Sequence, residues 1–212
     1  MKKLLGILAI SALASAAFAQ GLVGFINNTA GYVTQWTSSI DPTPIRVPAG
    51  GGMVDLLTAP AGTAFNSLGS LGAGGFAVNY PTLEAFLGAN PGWQSVATVG
   101  FTTPAAGRFN GGTVTLQSAI AGGANAEYVI IGWTGTAATF DAAMAISGTF
   151  FGSGPMLTTT TGSGGTPPIA ATLLSTSFTG MTLGPLATVP EPATFALAGL
   201  GLAALVAFRR RN

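Results

Sequence analysis

The 212-residue sequence contains no cysteine and no histidine, and charged residues make up only 6% of it. Each shortage removes a class of chemistry. Without cysteine there are no disulfides, thiolate nucleophiles or sulfur-held metal centres, so oxidation after export would add nothing to stability. Nor does the N-terminal apolar run have a cysteine after it to accept a lipoprotein anchor. Without histidine, His-ligated zinc, His-ligated haem and Ser-His-Asp or Cys-His catalysis all fall away. A typical soluble protein is roughly 25% charged. Here five of the seven cations are confined to the ends, as Lys2, Lys3, Arg209, Arg210 and Arg211. Between Gln20 and Thr188 only Arg46 and Arg108 face Asp41, Asp55, Glu84, Glu127 and Asp141, which leaves a net charge of −3. That interior lacks the basic footprint that a phosphate backbone requires, so nucleic acid is not an expected partner.

What is present is organised most clearly at the two ends. Residues 1–19 follow the order of a secretory signal peptide. Lys2 and Lys3 precede the apolar run Leu4 to Leu13, and small residues follow from Ala14 to Ala19. Ala17-Phe18-Ala19 fits the A-x-A pattern, in which small side chains at Ala17 and Ala19 enter the shallow pockets of signal peptidase. Cleavage is expected between Ala19 and Gln20.

The C-terminal segment 189–212 opens with Val189-Pro190-Glu191-Pro192. Ala193 to Phe208 then runs sixteen residues without a charge, and Arg209, Arg210 and Arg211 close it. As a helix that run would reach about 24 Å, short of a hydrocarbon core of about 30 Å. Arginine snorkelling and flanking residues make up the difference, so a membrane helix is expected. The arginines hold its end in the cytoplasm and leave the preceding domain outside, the same topology that the signal peptide demands. Pro190 and Pro192 fix φ and push Val189 and Glu191 to extended conformations, so that one carboxylate stands between two rings.

The Pro-Glu-Pro triplet, the glycine-bearing apolar span and the terminal arginine cluster together resemble the PEP-CTERM sorting signal. The resemblance covers about the last 24 residues, and no part of the motif is missing. It implies that an exosortase, a membrane-embedded transpeptidase-like enzyme, recognises Pro190, Glu191 and Pro192. The enzyme would cut near the triplet and release a transiently inner-membrane-anchored protein to the cell surface or the extracellular matrix. The resemblance describes sorting and leaves the role of the passenger open.

Between these addresses the sequence reads as all-β. Strands are expected at Leu22–Asn27, Tyr32–Trp36, Gly52–Leu57, Ser95–Thr102, Gly112–Gln117, Glu127–Trp133, Ile146–Phe151 and Thr172–Phe178. Turn clusters such as Gly50-Gly51-Gly52 and Asn110-Gly111-Gly112 separate them. Short helices are expected at Thr82–Leu87 and Thr139–Ala145. The pattern predicts an antiparallel β-sandwich, jelly-roll or Greek-key-like, over 20–179, with 180–188 as a linker. Thr158–Pro168 reads as an exposed loop. Val129, Ile130, Ile131, Trp133 and Phe150 are expected core members, and Thr98–Thr103 and Ala126–Trp133 are expected in one sheet.

No spacing points to catalysis, a metal or a cofactor, and none is expected. The five interior acids form no sequence-local cluster of the kind a glycoside hydrolase or a calcium loop would use. Asp141 reads as a helix-start charge and Glu127 as a solvated strand edge. Trp93, in the turn Asn90-Pro91-Gly92-Trp93, is the best candidate for an exposed indole stacking on sugar. The expectation is an exported, non-catalytic structural or adhesive protein in an exopolysaccharide or biofilm setting. A carbohydrate-binding module is the alternative, and a two-carboxylate glycoside hydrolase ranks third.

Overall fold

The computed structural model describes residues 20–165 and 167–187. Its spine is a pair of long antiparallel strands, β4 (Gly52–Pro60) and β9 (Asn125–Thr134), in register from Gly52↔Thr134 to Pro60↔Ala126. Nine of the ten β9 residues are buried, because this strand is covered on both faces. Around the pair runs a mixed sheet built from β2 (Val33–Trp36), β3 (Pro44–Arg46), β7 (Gln94–Gly100), β10 (Phe150–Ser153) and β14 (Met181–Pro185). The order is β3-β2-β14-β10-β9-β4-β7, and β11 (Leu157–Thr160) also pairs with β9. A second sheet centres on β1 (Gly21–Ile26), which pairs with β8 (Asn110–Thr115), β12 (Gly162–Ser163) and β13 (Thr172–Leu173).

Period-two alternation along β4 and β9 divides the interior in two. Val54, Leu56, Tyr128 and Ile130 face the second sheet, where they meet Val23, Phe25, Phe109, Leu174 and Phe178. Leu57, Ala59, Val129, Ile131 and Trp133 face the other way. There they are covered by the hairpin of β5 (Gly69–Gly72) and β6 (Gly75–Val78) and by two short helices, α1 (Leu83–Ala89) and α2 (Phe140–Met144). Each large apolar side chain buried in these layers is worth roughly 1.5–3 kcal/mol. Both helices start where a threonine can satisfy an orphan amide. Thr82 Oγ1 accepts from Ala85 N at 3.0 Å, and Thr139 Oγ1 accepts from Ala142 N at 3.2 Å. Glu84 and Asp141 then lie in the first turns, where the helix dipole favours negative charge.

The mostly-β expectation holds, with 46% strand against 9% helix. The sheets are mixed rather than purely antiparallel, since β2 pairs parallel with β14 and β1 parallel with β13. Two helices and the two-stranded β5–β6 hairpin close the second face. Val129, Ile130, Ile131 and Trp133 are core as expected, whereas Phe150 is only half-buried. The segments around Thr98 and Tyr128 share one sheet, on either side of β4.

Four expectations are corrected. Thr158–Pro168 is not simply an exposed loop: its threonine run forms most of β11, Thr161 is buried, and Gly162–Ser163 pairs with β1. β-Branched threonines suit a pleated ladder even when the composition looks like a spacer. The strand expected at Ile146–Phe151 begins only at Phe150, after a turn, and Thr172–Phe178 leaves its strand after Leu173 for a 3₁₀ turn at Leu174–Thr176. The linker expected at 180–188 is largely β14, held between β2 and β10 with Met181 and Leu183 buried. Among the described residues no helix is long and apolar enough to cross a membrane. The expected signal and membrane helices lie outside the described residues.

Candidate functional site

Ala17, Ala19, Pro190, Glu191, Pro192, Arg209, Arg210 and Arg211 all lie outside the described residues. The fold nevertheless fixes where the sorting segment begins. Leu186 bridges to Phe76, and Ala187 N donates to Phe76 O at 2.9 Å, so the chain is held to the body as far as Ala187. Three residues later comes Pro190.

Trp93 is a correction. Its side chain is 3% exposed and packs 4.8 Å, centroid to centroid, from Phe65, while Nε1 donates to Ala64 O at 3.0 Å. The turn before it folds inward because buried Asn90 satisfies the backbone on both sides. Its Oδ1 accepts from Asn66 N at 2.6 Å, and its Nδ2 donates to Phe86 O at 2.9 Å. Gly92, at φ +98°, supplies the left-handed residue this turn needs. No face of the indole is free for a sugar ring.

A different aromatic stands at the surface. Tyr32 lines an open groove of about 340 Å³ with Thr34, Thr179 and Thr182, where β2 runs parallel to β14. Arg46, one strand over, places its guanidinium carbon 3.7 Å from the Tyr32 ring centroid, within cation–π range. Thr34 Oγ1 lies 2.8 Å from Thr182 Oγ1. An aromatic ring, a row of hydroxyls and one guanidinium can together hold a neutral or weakly acidic glycan through stacking and hydrogen bonds. Sequence reading passed over Tyr32 because it sits at the start of an expected strand. The available signal was that the next strand in sequence, β3, carries a charged residue, Arg46, able to cross to that tyrosine.

The carboxylates are engaged in structure. Asp55 is buried in β4 and accepts from Ser95 Oγ at 2.8 Å and Thr98 Oγ1 at 3.2 Å. Burial pushes its pKa above the usual value, against the opposing pull of these hydroxyls and the Leu56 amide. Glu127 is not a solvated edge: it is 7% exposed on the central strand, with Oε1 accepting from Gly62 N at 2.9 Å. Asp141 does act at a helix start, and its Oδ1 also accepts from Leu83 N at 2.7 Å, tying α2 to α1. Asp41 closes a turn by accepting from Thr43 N at 3.0 Å, which lowers its pKa. Glu127 lies six strand positions from Trp133, about 20 Å, and Trp133 packs on Phe140 of α2. Asp141 is thus held at the α1–α2 junction and Glu127 at the loop around Gly62, each by its own backbone donor. Among the described residues no group of three or more acids is placed to hold a metal.

No curated protein and no solved structure matches the chain. Residues 188–211 match the family model of the PEP-CTERM protein-sorting motif. The match starts at the residue after Ala187, whose amide bonds to the folded body, and contains the Pro-Glu-Pro triplet, the apolar run and all three arginines. The chain carries a PEP-CTERM sorting motif, and with it the mark of an exported protein sorted by an exosortase.

Proposed function

We propose that the protein is a non-catalytic cargo of the exosortase route, delivered to the cell surface or extracellular matrix to serve there as a structural or adhesive element among exopolysaccharides. The observation that carries this reading is the sorting motif joined directly to a folded, mostly-β body. The body supports it in two further ways. Its buried carboxylates serve as hydrogen-bond acceptors within the fold. Its surface is wetted mainly by threonine, serine and asparagine, with little charge to keep copies apart, which suits a hydrated polymer better than free solution. The two sheets facing across the first core are read as a sandwich, with signal peptidase acting at Ala19 and exosortase near Pro190.

Fractionation of the host with and without its sorting enzyme tests the proposal. Wild-type protein should reach the surface or medium without Arg209–Arg211. A variant with Pro190, Glu191 and Pro192 all changed to Ala should stay in the inner membrane with its tail intact. Equal release of both forms, or exported protein that retains the arginines, would defeat it.

A carbohydrate-binding role is the second reading, now attached to Tyr32 rather than Trp93. The Tyr32–Arg46 stack beside a hydroxyl-lined groove favours it. Binding to the host's own exopolysaccharide, lost in Tyr32→Ala and kept in Trp93→Phe, would support it over a purely structural role.

A further inference from the structure

We infer that the end of the domain from which the sorting tail leaves is a membrane-docking face, which lies on the lipid surface for as long as the tail is uncut. The inference rests on reading the tail as a membrane anchor.

Three observations combine. The body extends to Ala187, the last backbone-bonded position among the described residues, and only six Cα-to-Cα steps lead from it to Ala193, where the uncharged run begins. Six such steps cannot reach beyond about 20–22 Å. The headgroup layer takes up about 5–8 Å of that, the difference per side between a whole bilayer and its hydrocarbon core. The exit end is therefore held close to the interface, and on so short a leash even a weak surface affinity is engaged most of the time.

That end also carries exposed aliphatic side chains on an uncharged surface. Beside Leu186 and Pro185 lies a cleft of about 480 Å³ whose wall includes Met144 and Ile146. Ile146 is 50% exposed, and Ile40, next to the wall residue Ser39, is 91% exposed. No residue lining the cleft is charged. Two bulky aliphatic side chains held in solvent beside an anchor point suit partial burial at the headgroup–acyl boundary.

The sheet register supplies an internal ruler. Phe150 pairs with Pro185 and Phe151 with Trp133, which places the exit at the Thr134 end of β9. Thr158 pairs with Glu127 near the other end, about 20 Å away. Since the body carries net negative charge and the cleft none, docking should not depend on anionic lipid or on low salt.

The absence of cysteine makes the test clean, because single cysteines introduced at exposed Ser147 and Thr158 can each carry one fluorophore. The mature chain, residues 20–212, is inserted into phosphatidylcholine vesicles and isolated by flotation. The Ser147 probe should be quenched by lipid-borne nitroxides and shielded at least threefold from aqueous iodide relative to the Thr158 probe. That difference should survive high salt and disappear in Ile146→Asp and in Ile40→Asp, the latter too exposed to affect folding. Equal quenching at the two positions in floated protein would overturn docking and leave the membrane anchor standing. Failure to float would overturn both. Shielding of Ser147 that appears only when the sorting enzyme is reconstituted alongside would assign the face to the enzyme and overturn a lipid role.

Discussion

The two faces of the β4–β9 ribbon bury polar side chains under different circumstances. On the second face Asp55 receives hydrogen bonds from Ser95 and Thr98, and Glu127 receives one from Gly62 N. On the first face the neighbouring pair Thr58 and Tyr128 carries hydroxyls that are buried without a partner among the described residues, as is Glu127 Oε2 on the second. The difference follows from what covers each face. The first is covered by a sheet, whose amides and carbonyls are already spent on one another in the β1 ladders. The second is covered by helices, a hairpin and loops, and it borders an edge strand rich in hydroxyls. Loops have spare donors; ladders have few. Under the loops Asp55 and Glu127 each find donors, whereas under the sheet the Thr58 and Tyr128 hydroxyls find none among the described residues.

The largest expected effect tests whether the loop-covered face is a true core. Trp93→Ala removes a buried indole together with its contacts to Phe65 and its bond to Ala64. It should cost about 3–5 kcal/mol, as large-to-small aromatic substitutions do. Urea denaturation measures this through the midpoint. A loss under about 1 kcal/mol would mean that the face is a loose cover, and the comparison between faces would break.

A smaller effect of opposite sign sharpens it. Tyr128→Phe deletes a hydroxyl whose pKa burial pushes up to about 12. It should stabilise the protein by about 1 kcal/mol, because the cost of an unmade hydrogen bond disappears while the ring stays. The urea midpoint should rise with no change in slope. Destabilisation instead would show that the hydroxyl has a partner, and the first face would then be as well satisfied as the second.

Much of this division was legible in the residues. The run from Glu127 to Trp133 announces a strand buried on both faces, and Thr82 and Thr139 announce helix starts through a side chain that can accept from the next turn. What misled was composition read without its partners. The segment 180–188 looks like a linker because it holds glycine and proline, yet Met181 and Leu183 alternate inward as a strand's residues do. Gly184 fits there because the Leu71 side chain occupies the space a Cβ would need. The fate of Trp93 was set by Asn90, whose two side-chain bonds to Asn66 and Phe86 are long-range facts that no local turn rule contains. Glu127 looked solvated because a lone glutamate usually is; it is buried because Gly62, 65 residues earlier in the chain, brings it an amide. The sorting motif needed none of this, since it is read as a contiguous stretch.

The smallest expected effect appears only as a slope against pH. Asp55 titrates above its usual 3.8 in the folded protein because burial disfavours the carboxylate more than Ser95 and Thr98 favour it. Below 3.8 the group is protonated in both states and contributes nothing. As pH rises through the interval up to the raised value, the unfolded chain gives up its proton first, so stability falls; above that interval the loss is complete and level. Asp41 acts in the opposite sense and lower down. Its pKa is depressed by the Thr43 amide, so its contribution is present above 3.8 and is lost as pH falls through the depressed value. Asp55→Asn removes the first effect and leaves the second. At any single pH the net change should be small, since the amide oxygen keeps one hydroxyl bond while its NH₂ group needs a new acceptor. From 3.8 up to the raised value, however, wild-type stability relative to Asp55→Asn should decline as pH rises. A difference that stayed flat over that range would mean that Ser95 and Thr98 fully offset the burial of the charge. The loop-covered face would then accommodate a carboxylate at no cost, and the contrast with the sheet-covered face would be sharper still.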